Sequence, residues 1–329
     1  MATVTPPQSA PPKVIVANKT MPSRPRNPKP NTFRLQLPAT SANLGPAFDA
    51  AALAMDFYIK IDARPARDFS IEARGKDEAI CSLLENHLIL ETYRDVLQAA
   101  GRPVTPLRLK IDNQIPIGKG CGSSAAARLA GIALANHFGK LRWNDSRTVG
   151  EASRREHHPD NASACWMGGL TVARMSGDAE AQVAVIRPKG LWPLLLAIPD
   201  DPLSTEEARR VLPTQYSRAD AVINIQNSML LLAAFMQERP DLLSAALDDR
   251  IHQPYRAPLC PLLPRLQELK GKQGILGTAL SGAGPSVLVF LHPQAKVSSA
   301  RKLVAAHLAK NKLNAELITT SITSRGARR

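Results

Sequence analysis

A glycine-rich turn set between a strand pattern and an alanine-rich helix pattern constrains this chain more than any other feature. Leu107-Arg-Leu-Lys-Ile111 alternates apolar and polar residues, as a half-buried strand does. Residues 123–138 are rich in Ala and Leu and predict a helix from Ser123 to Phe138. Between them runs Pro116-Ile117-Gly118-Lys119-Gly120-Cys121-Gly122-Ser123-Ser124-Ala125. Glycines at 118, 120 and 122 let the backbone take positive φ and approach a ligand closely. The helix that follows offers unpaired N–H groups and the positive end of its dipole. In this order the parts make an anion site suited to phosphate. Ser123 and Ser124 stand where a side chain caps the helix, and a hydroxyl there can also reach the Mg²⁺ that accompanies ATP.

Two common phosphate loops do not fit. A Walker A loop ends in Gly-Lys-Ser/Thr, and Lys119 comes too early. A dinucleotide fingerprint counted from Gly118 needs glycine where Ser123 stands. Taken alone, the segment reads equally well as a glycine turn with an ordinary N-cap.

The surroundings supply an organisation. Residues 1–30 hold Pro6, Pro7, Pro11, Pro12, Pro22, Pro25, Pro28 and Pro30, five basic side chains and no acidic one. That composition cannot bury a core, so a disordered tail is expected there. Strand patterns follow at Phe33–Leu37, Tyr58–Ile61 and Leu194–Ile198, with a strand, glycine turn and strand over Gly277–Leu291. Ser204-Thr-Glu-Glu207 has capping-box spacing and predicts a short helix before Pro213. Val222, Ile225, Met229, Leu232 and Met236 recur at three- and four-residue steps and predict an amphipathic helix over 220–237. Strands and helices mix, so the class is α/β or α+β. A linker at Arg187–Pro193 divides an N-terminal domain, 31–188, from a C-terminal domain, 189–329.

Composition narrows the partners. The net charge of +14 raises nucleic acid as a partner, but aromatic residues are only 4% and the basic residues are scattered outside the termini. A positive field that attracts an anionic substrate is the simpler reading. The longest apolar run, Met229–Met236, is too short for a membrane span. Cys81, Cys121, Cys165 and Cys260 show no C-x-x-C spacing, which fits a reducing cytoplasm and argues against a zinc site.

Five ordered motifs carry a family resemblance. Pro116–Ala125 resembles the phosphate loop of the GHMP kinases, with Cys121 in place of the usual Leu. Pro38-Ala-Thr-Ser-Ala-Asn43-Leu-Gly45-Pro-Ala47-Phe-Asp49 is similar to the first motif of the homoserine kinase branch, with Ala47 replacing a glycine. His158-Pro-Asp160-Asn161, Ser204-Thr205-Glu-Glu-Ala-Arg209 with Asp249-Arg250-Ile-His252-Gln-Pro-Tyr-Arg256, and Ser281-Gly282-Ala283-Gly284-Pro285-Ser286 complete the set. Gly326-Ala-Arg328 echoes the family's ending.

The resemblance implies an α+β, two-domain fold, the first domain like ribosomal protein S5 domain 2 and the second ferredoxin-like. It implies ATP-dependent phosphorylation of the L-homoserine side-chain hydroxyl, a step toward threonine, with Mg²⁺ as cofactor, in the cytoplasm, without nucleic acid or membrane. A homodimer is compatible with it. Residues 116–125 and 281–284 would hold ATP. Asn43, Asp49, Thr205, Arg209 and Arg250 would hold the amino acid, the two arginines as a clamp on its carboxylate. Asn161 would orient the reacting hydroxyl, with Asp160 as a base or as support. Ser124 and Glu151 would hold Mg²⁺, Glu156 being the other candidate carboxylate.

Overall fold

Pro38 shapes the first strand pair. Lacking an N–H, it cannot donate to a ladder, and the pairing of the first two strands shifts register by bulging between Pro38 and Ala39. The computed structural model describes residues 32–329. The proline-rich tail expected at 1–30 lies outside the described residues. The first half runs β1 (Phe33–Ala42), β2 (Ala51–Pro65), β3 (Ser70–Gly75), α1 (Glu78–Cys81), α2 (Leu88–Ala99), β4 (Leu107–Asn113), α3 (Ser123–Phe138), α4 (Asp145–Glu156), α5 (Asp160–Met167), β5 (Leu170–Gly177) and β6 (Glu180–Ile186). Its strands form a six-stranded sheet in the order β3-β4-β2-β5-β6, with β1 also on β2. β2 is long enough to give its later residues to β4 and its first three to β5.

The second half runs β7 (Pro193–Ile198), α6 (Thr205–Arg210), α7 (Arg218–Met236), α8 (Pro240–Ala246), α9 (Gln253–Arg256), α10 (Leu262–Gln267), β8 (Ile275–Leu280), β9 (Val287–Leu291), α11 (Val297–Lys310) and β10 (Glu316–Ser321). Its four strands pair antiparallel in the order β10-β7-β9-β8. Numbered within this half, that order is 4-1-3-2, the ferredoxin-like arrangement of a β-α-β-β-α-β unit.

The apolar run at 193–198 is explained by burial on both faces of its sheet. Leu194, Leu196, Leu288 and Phe290 point into a core shared with Leu37, Leu53 and Met55 of the first sheet. Leu195, Ala197, Val287 and Val289 point the other way, onto Leu262, Leu266, Val304 and Leu308 of α10 and α11. The change of sheet falls between Ile186 and Pro193. The shared core crosses it, and residues 32–329 form one compact unit.

α7 departs from the periodicity argument. Val222, Ile225, Met229 and Met236, the stripe expected to face the core, are 45–67% exposed. The helix turns Asn224, Leu231, Ala234 and Phe235 inward instead. Two polar contacts set that face: Asn224 Nδ2 and Ser228 Oγ donate to the Pro46 carbonyl at 2.8 and 2.7 Å. α7 is long and apolar enough by composition to cross a membrane, and here it packs Phe235 against Trp192 and Phe290.

Candidate active site

The glycine turn is locked by two neighbouring loops. Gly118, Gly120 and Gly122 have φ of +70°, +76° and +72°. A Cβ on Gly120 would lie 2.1 Å from the Ser281 carbonyl oxygen, and one on Gly122 would lie 1.9 Å from Thr40 Oγ1. Only glycine fits either position. Ser281 Oγ donates to the Gly120 carbonyl at 2.6 Å, and the Thr40 N–H donates to the Cys121 carbonyl at 3.0 Å. The loops at 38–49, 116–125 and 281–284 therefore form one assembly.

This assembly borders a cavity of about 780 Å³. Ile117, Gly118, Gly120, Gly122, Ser123, Ser124, Ala125, Gly282, Ala283 and Gly284 line it. Gly122 occupies the N-cap position of α3 and no side chain caps the helix. The capping expected of Ser123 and Ser124 is absent because both fall inside the first turn of α3 rather than at its N-cap, and Ser124 Oγ donates instead to Glu156 Oε1 at 2.6 Å. The helix N-terminus is thereby left to a ligand, as an anion site requires. The remaining loop residues build the turn without lining it. Lys119 Nζ reaches the Pro199 and Asp200 carbonyls beyond β7. Cys121 is buried, and burial pushes its thiol up to about 12. Beyond the glycines the cavity wall is apolar, with Ile59, Ile80, Leu83, Leu84, Ile111 and Ile115.

The opposite side is polar. Asp160, at the start of α5, is buried, and its Oδ1 accepts from the Asn161 N–H and pairs with His158 Nδ1, both at 2.6 Å. Burial pulls the His158 imidazole down, but the hydrogen bond and charge of Asp160, with Asp49 and Glu156 nearby, outweigh it and raise the pKa. Asn161 Oδ1 accepts from Thr40 Oγ1 at 2.6 Å. That bond fixes the amide oxygen of Asn161, which lines the cavity.

Asn43 and Asp49 sit in a turn where both have positive φ, 71° and 53°. Asn43 Nδ2 donates to the Gly282 carbonyl at 2.8 Å, and its Oδ1 accepts the Asp49 N–H at 2.9 Å. Ser204 caps α6 through the Glu207 N–H, so Thr205 and Arg209 face the cavity from one side of that helix. Arg209 Nη2 donates to both Asp49 oxygens, at 2.8 and 2.9 Å.

Arg256 is the other guanidinium here, 1% exposed. Its Nε donates to the Ala208 carbonyl at 2.9 Å and its Nη1 lies 3.2 Å from His252 Nδ1. Burial lowers the His252 imidazole to about 4, so it is neutral. With Nε2–H donated to the Gly45 carbonyl at 2.9 Å, Nδ1 is left to accept from Arg256. Burial also lowers Arg256, to about 10, which leaves it charged at neutral pH. No carboxylate pairs with it among the described residues.

Residues 87–169 match the model of the GHMP kinases N terminal domain, and residues 231–310 match that of GHMP kinases C terminal. The homoserine kinase of Solibacter usitatus is 41% identical over 295 residues, 89% of this chain and 96% of that protein. This chain belongs to the homoserine kinases of the GHMP superfamily. The homoserine kinase of Synechocystis sp. is 39% identical over 79% of this chain and 86% of its own length. The fold is that of the Cytophaga hutchinsonii homoserine kinase, with a TM-score of 0.77 at 20% identity over 93% of this chain and 99% of that one. It extends to the phosphomevalonate kinase of Streptococcus pneumoniae, with a TM-score of 0.64 at 12% identity over 89% and 100% of the two chains.

Two residues expected in a homoserine kinase site lie elsewhere. Glu151 points away from the cavity into Arg154 and Arg155, each at 2.8 Å. One and a half turns further along α4, Glu156 reaches the cavity and takes its place beside Ser124, with Arg128 Nε also 2.6 Å from it. Arg250 faces solvent and pairs with Asp248 at 3.0 Å. Asp249 explains the switch: its carboxylate accepts the N–H groups of Ile251, His252 and Gln253 and starts α9, which presents Arg256 one turn after His252. Arg256 closes the Asp249–Arg256 motif, but nothing local marks it as the arginine that enters the site. Thr40 and His158 likewise lie inside motifs, and the apolar wall has no local signal.

Proposed function

We propose that this chain transfers the γ-phosphoryl group of ATP to the side-chain hydroxyl of L-homoserine, giving O-phospho-L-homoserine. The observation that carries the reading is one cavity with two complementary ends. A helix N-terminus framed by glycines suits phosphates, and Asp49 with Arg209 and Arg256 suits the two charges of an α-amino acid.

The purine would lie on the apolar wall and the phosphates on Ile117, Gly118, Gly120 and residues 122–125, steadied by 282–284. Ser124 and Glu156 offer the hard oxygen donors that Mg²⁺ prefers, 2.6 Å apart at the mouth of the anion site. Bound there, the ion would neutralise charge on the ATP phosphates. The substrate ammonium would meet Asp49, and its carboxylate Arg209 and Arg256, with Thr205 and Asn43 at the edges.

Asn161 would donate its free N–H to the acceptor hydroxyl oxygen and aim a lone pair at the γ-phosphorus. The new O–P bond forms as the bond to ADP breaks, and the hydroxyl proton passes to a phosphoryl oxygen. A loose transition state needs little early deprotonation, so positioning supplies most of the catalysis. Asp160 fits support better than base, since its Oδ1 already holds His158 and the Asn161 N–H.

Phosphorus NMR of the protein with ATP, Mg²⁺ and L-homoserine tests this. A new phosphomonoester resonance that grows as ADP appears, and is coupled to the acceptor's terminal CH₂ protons, is expected. ATP left intact, or hydrolysed to inorganic phosphate alone, would overturn the reading.

A further inference from the structure

The Asp49–Arg209 pair stands where the acceptor has to bind. Asp49 comes from the loop between β1 and β2, Arg209 from α6, and both line the cavity. The carboxylate is held in both oxygens by one guanidinium nitrogen, and its side chain is 29% exposed against 37% for Arg209. Each group thus carries the charge that recognises one end of an amino acid, and each is satisfied by the other. Arg256 lies beside them with no carboxylate partner among the described residues, and both guanidinium groups sit over the Phe48 ring, at 5.6 and 5.3 Å.

We infer that Asp49 and Arg209 form an exchangeable latch that only a zwitterionic acceptor opens without loss. The inference rests on the acceptor reading given above. An α-amino acid replaces the pair with two new ones: its ammonium takes Asp49, and its carboxylate takes Arg209 and engages Arg256. An alcohol bearing only a carboxylate must strip Arg209 from Asp49 and leaves a partly buried carboxylate uncompensated. An alcohol bearing only an ammonium leaves Arg209 in the same state. An unpaired charge in a partly buried site is costly, so half-charged acceptors are rejected by what they leave behind rather than by lack of space. The pair is a specificity device, and the selection it exerts is for both charges together.

Calorimetric titration of 4-hydroxybutanoate, which has the carboxylate and hydroxyl but no ammonium, tests this in four proteins: wild type, Asp49→Asn, Arg209→Gln and the double variant. Asp49→Asn frees Arg209, so it should bind 4-hydroxybutanoate at least about tenfold more tightly than wild type. The gain should vanish when Arg209→Gln is already present, since no arginine is then released. Equal tightening in both backgrounds would mean simple repulsion by Asp49 and would overturn the latch. So would no tightening, or parallel weakening with a fall in melting temperature, which marks a fixed strut. If either amide variant fails to fold, Asp49→Ser and Arg209→Met complete the same cycle. Wild-type turnover of L-homoserine, measured alongside, separates the two failures: its absence rejects the acceptor reading, and its presence with no coupling rejects the latch alone.

Discussion

At the residue scale the proposed chemistry turns on Arg256 and Glu156. Arg256→Leu should raise the KM for L-homoserine about 10- to 150-fold, the equivalent of roughly 1.5–3 kcal/mol of charged hydrogen bonding, with the KM for ATP unchanged. Arg250→Leu should leave both constants within about twofold, because an exposed pair with Asp248 contributes little. Steady-state kinetics on the two variants distinguishes them, and the reverse ranking would return the clamp to Arg250. Glu156→Gln should raise the Mg²⁺ concentration needed for half-maximal turnover by at least the ~10-fold that losing even an outer-sphere partner costs.

Glu151→Gln should keep that dependence and lower the melting temperature. Burial raises the Glu151 carboxyl, but the hydrogen bonds and charges of Arg154 and Arg155 outweigh it and hold the pKa below the usual value. A depressed folded pKa stabilises above the unfolded value, near 4.3, and the contribution is lost as pH falls through the folded one. Wild type and Glu151→Gln should therefore differ in melting temperature at neutral pH and converge in acid below about pH 4. A difference that widened in acid would contradict this. Arg250 and Arg256 share one motif, and Glu151 and Glu156 stand together as the candidate carboxylates ahead of His158. What the sequence could not display was phase: which of two carboxylates on α4, or of two arginines around α9, turns inward depends on a cap such as Asp249, not on spacing alone.

The decisive structures at the element scale are the glycine turn and α7. Gly120→Ala would push a methyl group to 2.1 Å from the Ser281 carbonyl oxygen and 2.8 Å from that of Gly284, both backbone. The loops must separate, so turnover should fall by about 10² or more, as small misplacements of reacting groups do. Gly101→Ala is the control: its φ is +62° with nothing within 4 Å, so it should cost about 1 kcal/mol of stability and no activity. Equal activity losses in the two variants would show that the loop contact is irrelevant. The turn and α3 were legible because strand, glycines and helix follow one another in sequence. α7 misled because it is apolar on more than one side, and its inward face is chosen by hydrogen bonds to Pro46 from a loop some 180 residues earlier.

Across the whole molecule, two sheets meet at one core and the site opens where their loops converge. The linker between sheets could be read from a proline- and glycine-bearing stretch after β6. The closing of the chain could not: Gln36 pairs with Arg328, and Met55 with Ile322, so the last residues return to the first sheet. No local pattern encodes a pairing between chain ends. An acceptor end built for an amino acid would set the substrate preference of this kinase. The most direct measurement is kcat/KM for L-homoserine, mevalonate and galactose side by side, with saturating ATP and Mg²⁺, in a coupled assay for ADP. A preference for L-homoserine of at least about 10³-fold is expected, because the site's charged groups go unpaired with the wrong ligand. A comparable or higher value for mevalonate or galactose would contradict it.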